Sequence, residues 1–157
     1  MRLHFEVCSA DAMLRLGECL GSLLRGGEVF SLSGPLGVGK TTFVKGVARG
    51  LGVAALVTSP SFAIIHVHEG RLRLVHCDFY RLESPHELDN TGFEDYLGTE
   101  NVVMAEWGAG FLQGIPGGVT EVCFVGDDLG REVSAAVVAE RDLWLVKEWM
   151  RKWQSWQ

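Results

Sequence analysis

The chain lacks an excess of positive charge, long apolar runs and clustered cysteines, and each absence excludes a class of function. Its 157 residues include 14 Lys and Arg against 20 Asp and Glu, and the net charge of −6 disfavours a general binder of the nucleic-acid backbone. No run approaches the ~18 apolar residues that a membrane helix needs. Acidic residues interrupt the N-terminal segment, so we expect no signal peptide there. These observations predict a cytoplasmic protein with no membrane partner.

The side chains that often build metal or redox centres are poorly spaced for that role. The four cysteines form no C-x-x-C pair and are interpreted as free thiols: Cys8, Cys19, Cys77 and Cys123. His66 and His68 share one face of a predicted strand and His76 follows, but no further ligand is spaced to complete a site. We expect no metal centre from these histidines, and His76 suits plain packing.

The strongest signal is a glycine-rich turn, here called the phosphate loop, at residues 34–41. It reads GPLGVGKT and satisfies the pattern G-x-x-x-x-G-K-[ST] between a predicted strand and a predicted helix. In such a loop backbone N–H groups surround anionic oxygens, and the dipole of the following helix adds to their field. Lys40 supplies a cation to the β- and γ-phosphates, Thr41 is placed to ligate Mg²⁺, and Thr42 can reach an α-phosphate oxygen. The motif predicts a bound nucleotide but not the reaction.

Strand and helix patterns alternate through the first half of the chain, and hairpin patterns accompany them. Strands are predicted at 2–8, 28–34 and 101–107, hairpins around Glu69-Gly70 and across 119–139, and helices at 9–25, 40–51, after Ser84 with a break at Gly92, and from about 140 to the end. We expect a single α/β domain over residues 1–157. Its predicted architecture is the three-layer P-loop NTPase type, with a mixed, mainly parallel sheet and two β-hairpins.

Two acidic side chains lie at the ends of predicted strands, where parallel α/β sheets bind ligands. Asp78 follows LRLVHC and Glu106 follows NVVMA. A P-loop ATPase needs one acid to hold Mg²⁺, directly or through water, and usually one group to orient the attacking water. Either acid alone would suit an ordinary loop cap. Beside a phosphate loop the pair favours hydrolysis, but the pattern does not say which acid has which role.

A third segment, TSPSF at residues 58–62, places several hydroxyls just before a predicted strand. Thr58, Ser59 and Ser61 flank a proline, which is typical of a turn whose hydroxyls cap the strand. The alternative is a switch segment that senses the nucleotide, with a hydroxyl meeting the γ-phosphate or Mg²⁺. Both interpretations stay open.

The order of the motifs is specific even though the phosphate loop is generic. GPLGVGKTTF, TSPSF, HCDFYRLESPHELDNTGFEDYL, MAEW and GREVSA follow one another between about residues 5 and 138. This order resembles the bacterial TsaE family, the ATPase of threonylcarbamoyladenosine biosynthesis on tRNA. The resemblance implies two protein partners, the tRNA threonylcarbamoyl-transfer enzyme and its companion subunit. They act on tRNAs that read codons beginning with A, and this chain would meet tRNA only through them.

The resemblance also implies roles for single residues. The nucleotide would be held by Leu36, Gly37, Val38, Gly39, Lys40, Thr41 and Thr42, with Arg131 near it. Thr41 and Glu106 would ligate Mg²⁺, and Asp78 would take the second acidic role. Trp107 would lie against the site. ATP hydrolysis would support turnover of the complex rather than supply the transferred group.

The sequence departs from the family pattern in three places. Ser61 stands where the family usually has Thr, and EWGAGF at residues 106–111 lacks the usual proline and following acid. The tail LWLVKEWMRKWQSWQ runs past the usual family end. It places Trp149, Trp153 and Trp156 on one helical face. That face predicts either a helix covering the core or a docking surface for a partner.

Other functions use the same loop. A small-molecule or nucleoside kinase needs an acceptor pocket and commonly an arginine-bearing lid, and the chain has no long insertion of that kind. A nucleotide-sensing adaptor would bind ATP without turning it over. A GTPase is disfavoured because no [NT]-K-x-D segment is present.

Overall fold

The structure, a computed structural model, describes residues 1–35, 37–54, 57, 64–127, 130–137 and 142–157. The strands are β1 (Arg2–Val7), β2 (Val29–Ser33), β3 (Ile65–His68), β4 (Arg73–Asp78), β5 (Asn101–Glu106), β6 (Thr120–Asp127) and β7 (Gly130–Val137). The helices are α1 (Ala10–Leu23), α2 (Lys40–Gly50), α3 (Pro85–Asp89) and α4 (Leu143–Trp156), with a short 3₁₀ helix at Phe93–Tyr96. Within these residues no helix has both the length and the apolar content to cross a membrane.

All seven strands form one mixed sheet in the order β1-β7-β6-β2-β5-β4-β3. The three central pairings, β6 with β2, β2 with β5 and β5 with β4, are parallel. The three outer pairings are antiparallel. The α/β class and the mixed sheet are therefore confirmed, but only half of the strand pairings are parallel. Each hairpin adds an antiparallel pair, and β1 adds a third because it pairs with the returning strand of the second hairpin.

Both predicted hairpins are present. β3 and β4 pair across the turn that contains Glu69 and Gly70, and β6 pairs with β7 along its whole length. The break in the third helical segment also lies where glycine predicted it. Gly92 has φ 76°, a left-handed conformation, and separates α3 from the 3₁₀ helix.

The two faces of the sheet bury different layers. Along β5, Val102 and Met104 join the cluster formed with α1, α2 and α4, whereas Val103 and Ala105 join the opposite cluster. The opposite cluster is completed by α3, the 3₁₀ helix and the loop after β5, through side chains such as Leu88. One outer layer is thus made of long helices. The other consists of short helices and loop, so the predicted third layer is thin.

Helices α1 and α2 approach each other closely through four glycines. These are Gly17 and Gly21 on α1, and Gly46 and Gly50 on α2. A Cβ on Gly17 would lie 2.2 Å from the Phe43 carbonyl oxygen, and one on Gly46 would lie 2.1 Å from the Leu14 carbonyl oxygen. No side chain fits at these distances. Backbone-to-backbone packing therefore sets the position of α2 on α1.

Helix α4 covers the core, as one of the two interpretations of the tryptophan tail predicted. The Trp149 ring is fully buried, with centroid distances of 4.5 Å to Phe5 and 5.8 Å to Phe43. Its indole N–H donates to the Leu16 carbonyl over 3.0 Å. Trp153 is also buried. Trp156 is 42% exposed, with the Arg15 guanidinium 4.8 Å from its ring centroid. The helix begins at Leu143, and residues 140 and 141 of the predicted helix lie outside the described residues.

Substitution of Gly46 tests the close packing of the two helices. Alanine raises helix propensity by ~1 kcal/mol, so an unconstrained site would gain stability. We expect Gly46→Ala instead to lower the free energy of unfolding by about 1–3 kcal/mol, because its Cβ must displace the α1 backbone. Denaturant unfolding of the variant and the parent chain measures the change. Gly98→Ala, outside the helices, is the control for an added methyl group, since a Cβ there meets no atom within 4 Å. Stabilisation by Gly46→Ala would contradict the packing argument.

Candidate nucleotide site

The phosphate loop and both strand-end acids lie at one edge of the sheet. The loop follows β2, Asp78 is the last residue of β4, and Glu106 is the last residue of β5. The three strands are parallel neighbours, and Asp78 pairs in register with Glu106, which in turn pairs with Leu32. Because the carboxyl ends of parallel strands meet at the same edge, residues far apart in the chain share one site.

The loop has the backbone shape that an anion cradle requires. Gly39 caps α2 with φ 118°, and Gly34 has φ 146°, both in the region that favours glycine. A Cβ on Gly34 would also lie 2.7 Å from the Phe124 carbonyl oxygen. Side chains are excluded at both positions, so the N-terminus of α2 is left open to a phosphate group.

Lys40 is the buried cation of the site, with 5% of its surface exposed. Its ammonium donates to the Gly34 carbonyl over 2.6 Å and lies 4.2 Å from the centroid of the Trp107 ring. Burial lowers the pKa of Lys40 below its ordinary value, while the carboxylates of Glu106 and Asp78 act in the opposite direction. The ammonium is therefore held inside the loop by a carbonyl and an indole face, at the point where phosphate oxygens would compete for it.

Glu106 is a buried acid with 5% exposure, and it is hydrogen-bonded to a histidine from the neighbouring strand. The Oε2 atom of Glu106 lies 2.6 Å from Nε2 of His76, whose side chain is fully buried. The backbone carbonyl of Glu106 accepts from the Phe79 N–H over 3.0 Å. The Glu106 side chain is thus linked to β4, and its backbone is linked to the residue that follows β4.

Asp78 is less buried, and it stabilises the turn that follows β4. Its Oδ1 accepts from the Tyr80 N–H over 2.9 Å. The Tyr80 ring is 68% exposed and lies 5.2 Å from the Trp107 ring. Trp107 has φ 58°, the positive value that glycine normally takes. The backbone after Glu106 is therefore constrained, and the constraint brings the Trp107 indole to Lys40.

Arg131 joins the loop from the other side. Its Nε donates to the Val38 carbonyl over 3.1 Å, which links β7 to the phosphate loop. A pocket of about 280 Å³ opens here beside Thr42. It is lined by Val7, Cys8, Ser9, Ala10, Met13, Gly37, Val38, Gly39, Thr42, Gly130 and Arg131. Sequence reasoning missed the residues around the start of α1. The helix at 9–25 was predicted, but not that β1 ends at the same edge as β2.

The remaining predicted residues are distributed as follows. Thr41 and Thr42 stand in the first turn of α2 and are partly exposed at this edge. Leu36 of the loop, and the proposed switch residues Thr58, Ser59 and Ser61, lie outside the described residues.

The three histidines lie on neighbouring positions of the β3-β4 pair, with His66 opposite His76 in register. In the part of the chain that is described, no group of three or more His, Cys, Asp or Glu side chains could hold a metal ion.

Comparison with known proteins identifies the family of this chain. The model of the family described as threonylcarbamoyl adenosine biosynthesis protein TsaE matches residues 7–133. The chain belongs to the TsaE family. A tRNA threonylcarbamoyladenosine biosynthesis protein TsaE from Treponema pallidum is 41% identical over 108 residues, covering 69% of this chain and 80% of the relative. One from Bacillus subtilis is 32% identical over 153 residues, covering 96% and 95%.

A solved structure agrees with the sequence comparison. The crystal structure of YdiB from Bacillus subtilis superposes with a TM-score of 0.81 at 29% identity, covering 96% of this chain and 95% of that one. The TsaE family model ends at residue 133, before α4. The alignment with the B. subtilis relative covers 96% of this chain and therefore extends past residue 133. At least part of the tail thus has a counterpart in that protein. The roles of individual site residues stay predictions.

Substitution of Arg131 tests whether its link to the loop supports nucleotide binding. Arg131→Met removes the guanidinium and keeps most of the apolar stem. We expect the dissociation constant for ATP to rise about tenfold, because the charge-assisted hydrogen bond that holds the Val38 carbonyl of the loop is lost. Isothermal titration calorimetry measures the constant. Arg151→Met is the matched control, since Arg151 lies on α4 and pairs with Glu148. Equal affinities for the parent and Arg131→Met would contradict this role.

Proposed function

We propose that the chain is a Mg²⁺-dependent ATPase that acts in threonylcarbamoyl modification of adenosine in tRNAs reading codons that begin with A. One observation carries the proposal beyond family membership. A buried lysine within the phosphate loop lies at the same sheet edge as two acids on adjacent parallel strands. Nucleotide binding alone needs the loop, whereas hydrolysis also needs acidic groups to hold Mg²⁺ and to orient water.

The loop residues fit a nucleotide triphosphate. Leu36 to Thr42 would hold the phosphates through backbone N–H groups, with the Lys40 ammonium leaving the Gly34 carbonyl for the β- and γ-phosphate oxygens. Arg131 and the pocket beside Thr42 would take the nucleoside side of ATP. The open N-terminus of α2 supports this fit, because only glycine is accommodated at positions 34 and 39.

The donor set at the edge also fits magnesium. A hydroxyl from Thr41 and carboxylates from Glu106 and Asp78 are the hard oxygen ligands that Mg²⁺ prefers. The ion would neutralise charge that develops on the phosphate oxygens. We assign the metal side to Glu106 and Thr41. Asp78, which is more exposed, would contact the ion through water or orient the attacking water.

The proposed setting is a protein assembly. The relatives are named for tRNA threonylcarbamoyladenosine biosynthesis, and we extend that role to this chain. The partners would be the threonylcarbamoyl-transferase subunit and its companion, with tRNA reached through them. The net charge of −6 supports an indirect contact with tRNA. We propose that the chain acts as one ATPase domain over residues 1–157, since α4 packs into the same cluster as β1 and α2.

Phosphate release should separate hydrolysis from sensing. We expect the isolated chain to bind ATP with Mg²⁺ and hydrolyse it slowly, because no partner group completes the site. Addition of the transferase subunits should raise the rate. A coupled assay for inorganic phosphate measures both rates. Release that stays at background with every partner present would favour an adaptor that senses ATP. Transfer of labelled γ-phosphate to a nucleoside would establish a kinase instead.

Two substitutions should separate binding from chemistry. Lys40→Ala removes the cation of the loop, and we expect it to abolish detectable ATP binding. Glu106→Gln keeps an acceptor for His76 but removes the negative charge. We expect it to retain ATP binding while hydrolysis falls about 100-fold, as for other single electrostatic groups in active sites. Calorimetry and single-turnover hydrolysis measure the two effects. An equal loss of binding in both variants would contradict separate roles.

A further inference from the structure

His76 is buried without an obvious packing reason. Its side chain has 0% exposure on β4, in register with Met104 of β5. Two residues further along β5, and on the same face, Glu106 accepts a hydrogen bond from it over 2.6 Å. Leu74 occupies the preceding position on that face of β4 and packs as an ordinary core residue. An apolar side chain would therefore suit the position if packing were its whole task.

Among the residues described, the imidazole makes one hydrogen bond, and its partner is Glu106. The donor is Nε2, since an ionised carboxylate can only accept. The other ring nitrogen, Nδ1, is buried and has no hydrogen-bond partner among the residues described. Burying an imidazole with one nitrogen unpaired costs stability. Packing alone does not explain a buried ring that lowers stability in this way. The hydrogen bond from the ring to Glu106 does explain it.

We propose that His76 is a positioning residue for the Glu106 carboxylate. The hydrogen bond uses Oε2, so it restricts rotation of the carboxylate and leaves Oε1 for the cation that accompanies the nucleotide. This inference rests on the proposed function, because it assumes that Glu106 serves Mg²⁺. It assigns His76 no contact with nucleotide or with water. The ring acts only through Glu106, as partners of metal-binding carboxylates do.

The contacts of the phosphate loop do not involve His76. The phosphate loop is held by the helix start, by Lys40 and by Arg131, and none of these is hydrogen-bonded to His76 in the described part of the chain. Loss of the histidine should therefore spare the part of nucleotide affinity that needs no metal. It should reduce the part that Mg²⁺ adds, and turnover with it.

Three substitutions at one position isolate the hydrogen bond. His76→Leu removes the donor and fills the space with an apolar side chain. His76→Gln keeps an N–H donor at about the reach of Nε2, whereas His76→Asn carries the same amide on a shorter side chain. His68→Leu is the control, because it removes a second histidine from the same face of the β3-β4 pair. His68 makes no hydrogen bond to Glu106.

Affinity for a non-hydrolysable ATP analogue is measured by calorimetry, once with Mg²⁺ and once with a chelator. KM and kcat for ATP and the melting temperature of the nucleotide-free chain are measured alongside. For His76→Leu we expect unchanged metal-free affinity and a loss of about 10- to 100-fold in the affinity gained from Mg²⁺. We expect kcat to fall by a similar factor. His76→Gln should restore most of both quantities, His76→Asn should not, and His68→Leu should match the parent.

Several results would overturn the inference. Parent-like Mg²⁺ dependence and kcat in His76→Leu would show that the hydrogen bond is dispensable. Equal losses in His76→Gln and His76→Leu, or a parallel loss of metal-free affinity and melting temperature, would assign His76 a purely structural role. If His76→Leu does not fold, the contrast between His76→Gln and His76→Asn decides. A parent chain that binds no nucleotide would reject the proposed function itself, which the other outcomes leave intact.

Discussion

The close contact between α1 and α2 is the constraint on which the site depends. Gly17 and Gly21 face Gly46 and Gly50, and backbone meets backbone at distances that exclude any side chain. Van der Waals contact between helix backbones is short-ranged, so it fixes the position of α2 against α1. The first turn of α2 carries Lys40 and the two threonines. The phosphate loop thus owes its placement to glycines that lie outside the motif.

The charges at the sheet edge depend on one another because most of them are buried. Burial lowers the pKa of Lys40, and the carboxylates of Glu106 and Asp78 partly restore it. Glu106 is in turn held by His76, and the indole of Trp107 covers the lysine. A buried charge is tolerated only with partners nearby. The site is therefore a connected set in which a change at one group alters its neighbours, and single substitutions are best compared with conservative ones.

The order of elements could be predicted because it follows from local patterns. Local residue patterns predicted the strands and helices, Ser84 marked a helix start, and Gly92 marked a break. The sheet was predicted less well. Local patterns do not show which strands pair when they are far apart in the chain. β1 pairs with β7, and this pairing is antiparallel. The packing glycines of α1 and α2 were not recognised either, since glycine in a helix is only a weak local signal until the opposing helix is known.

The sequence alone predicted a phosphate-binding turn between a strand and a helix, and the motif order identified the family of the chain. These conclusions rest on residues adjacent in the chain, whose local conformation follows from glycine, helix caps and the strand before them. Tertiary structure decided the rest. It brought His76 to Glu106 across 30 positions, Arg131 to Val38 across 93, and Trp107 over Lys40. His76 was interpreted from the sequence as plain packing. Only strand register could show its partner, because hydrogen bonds between strands depend on alignment in space and not on distance along the chain.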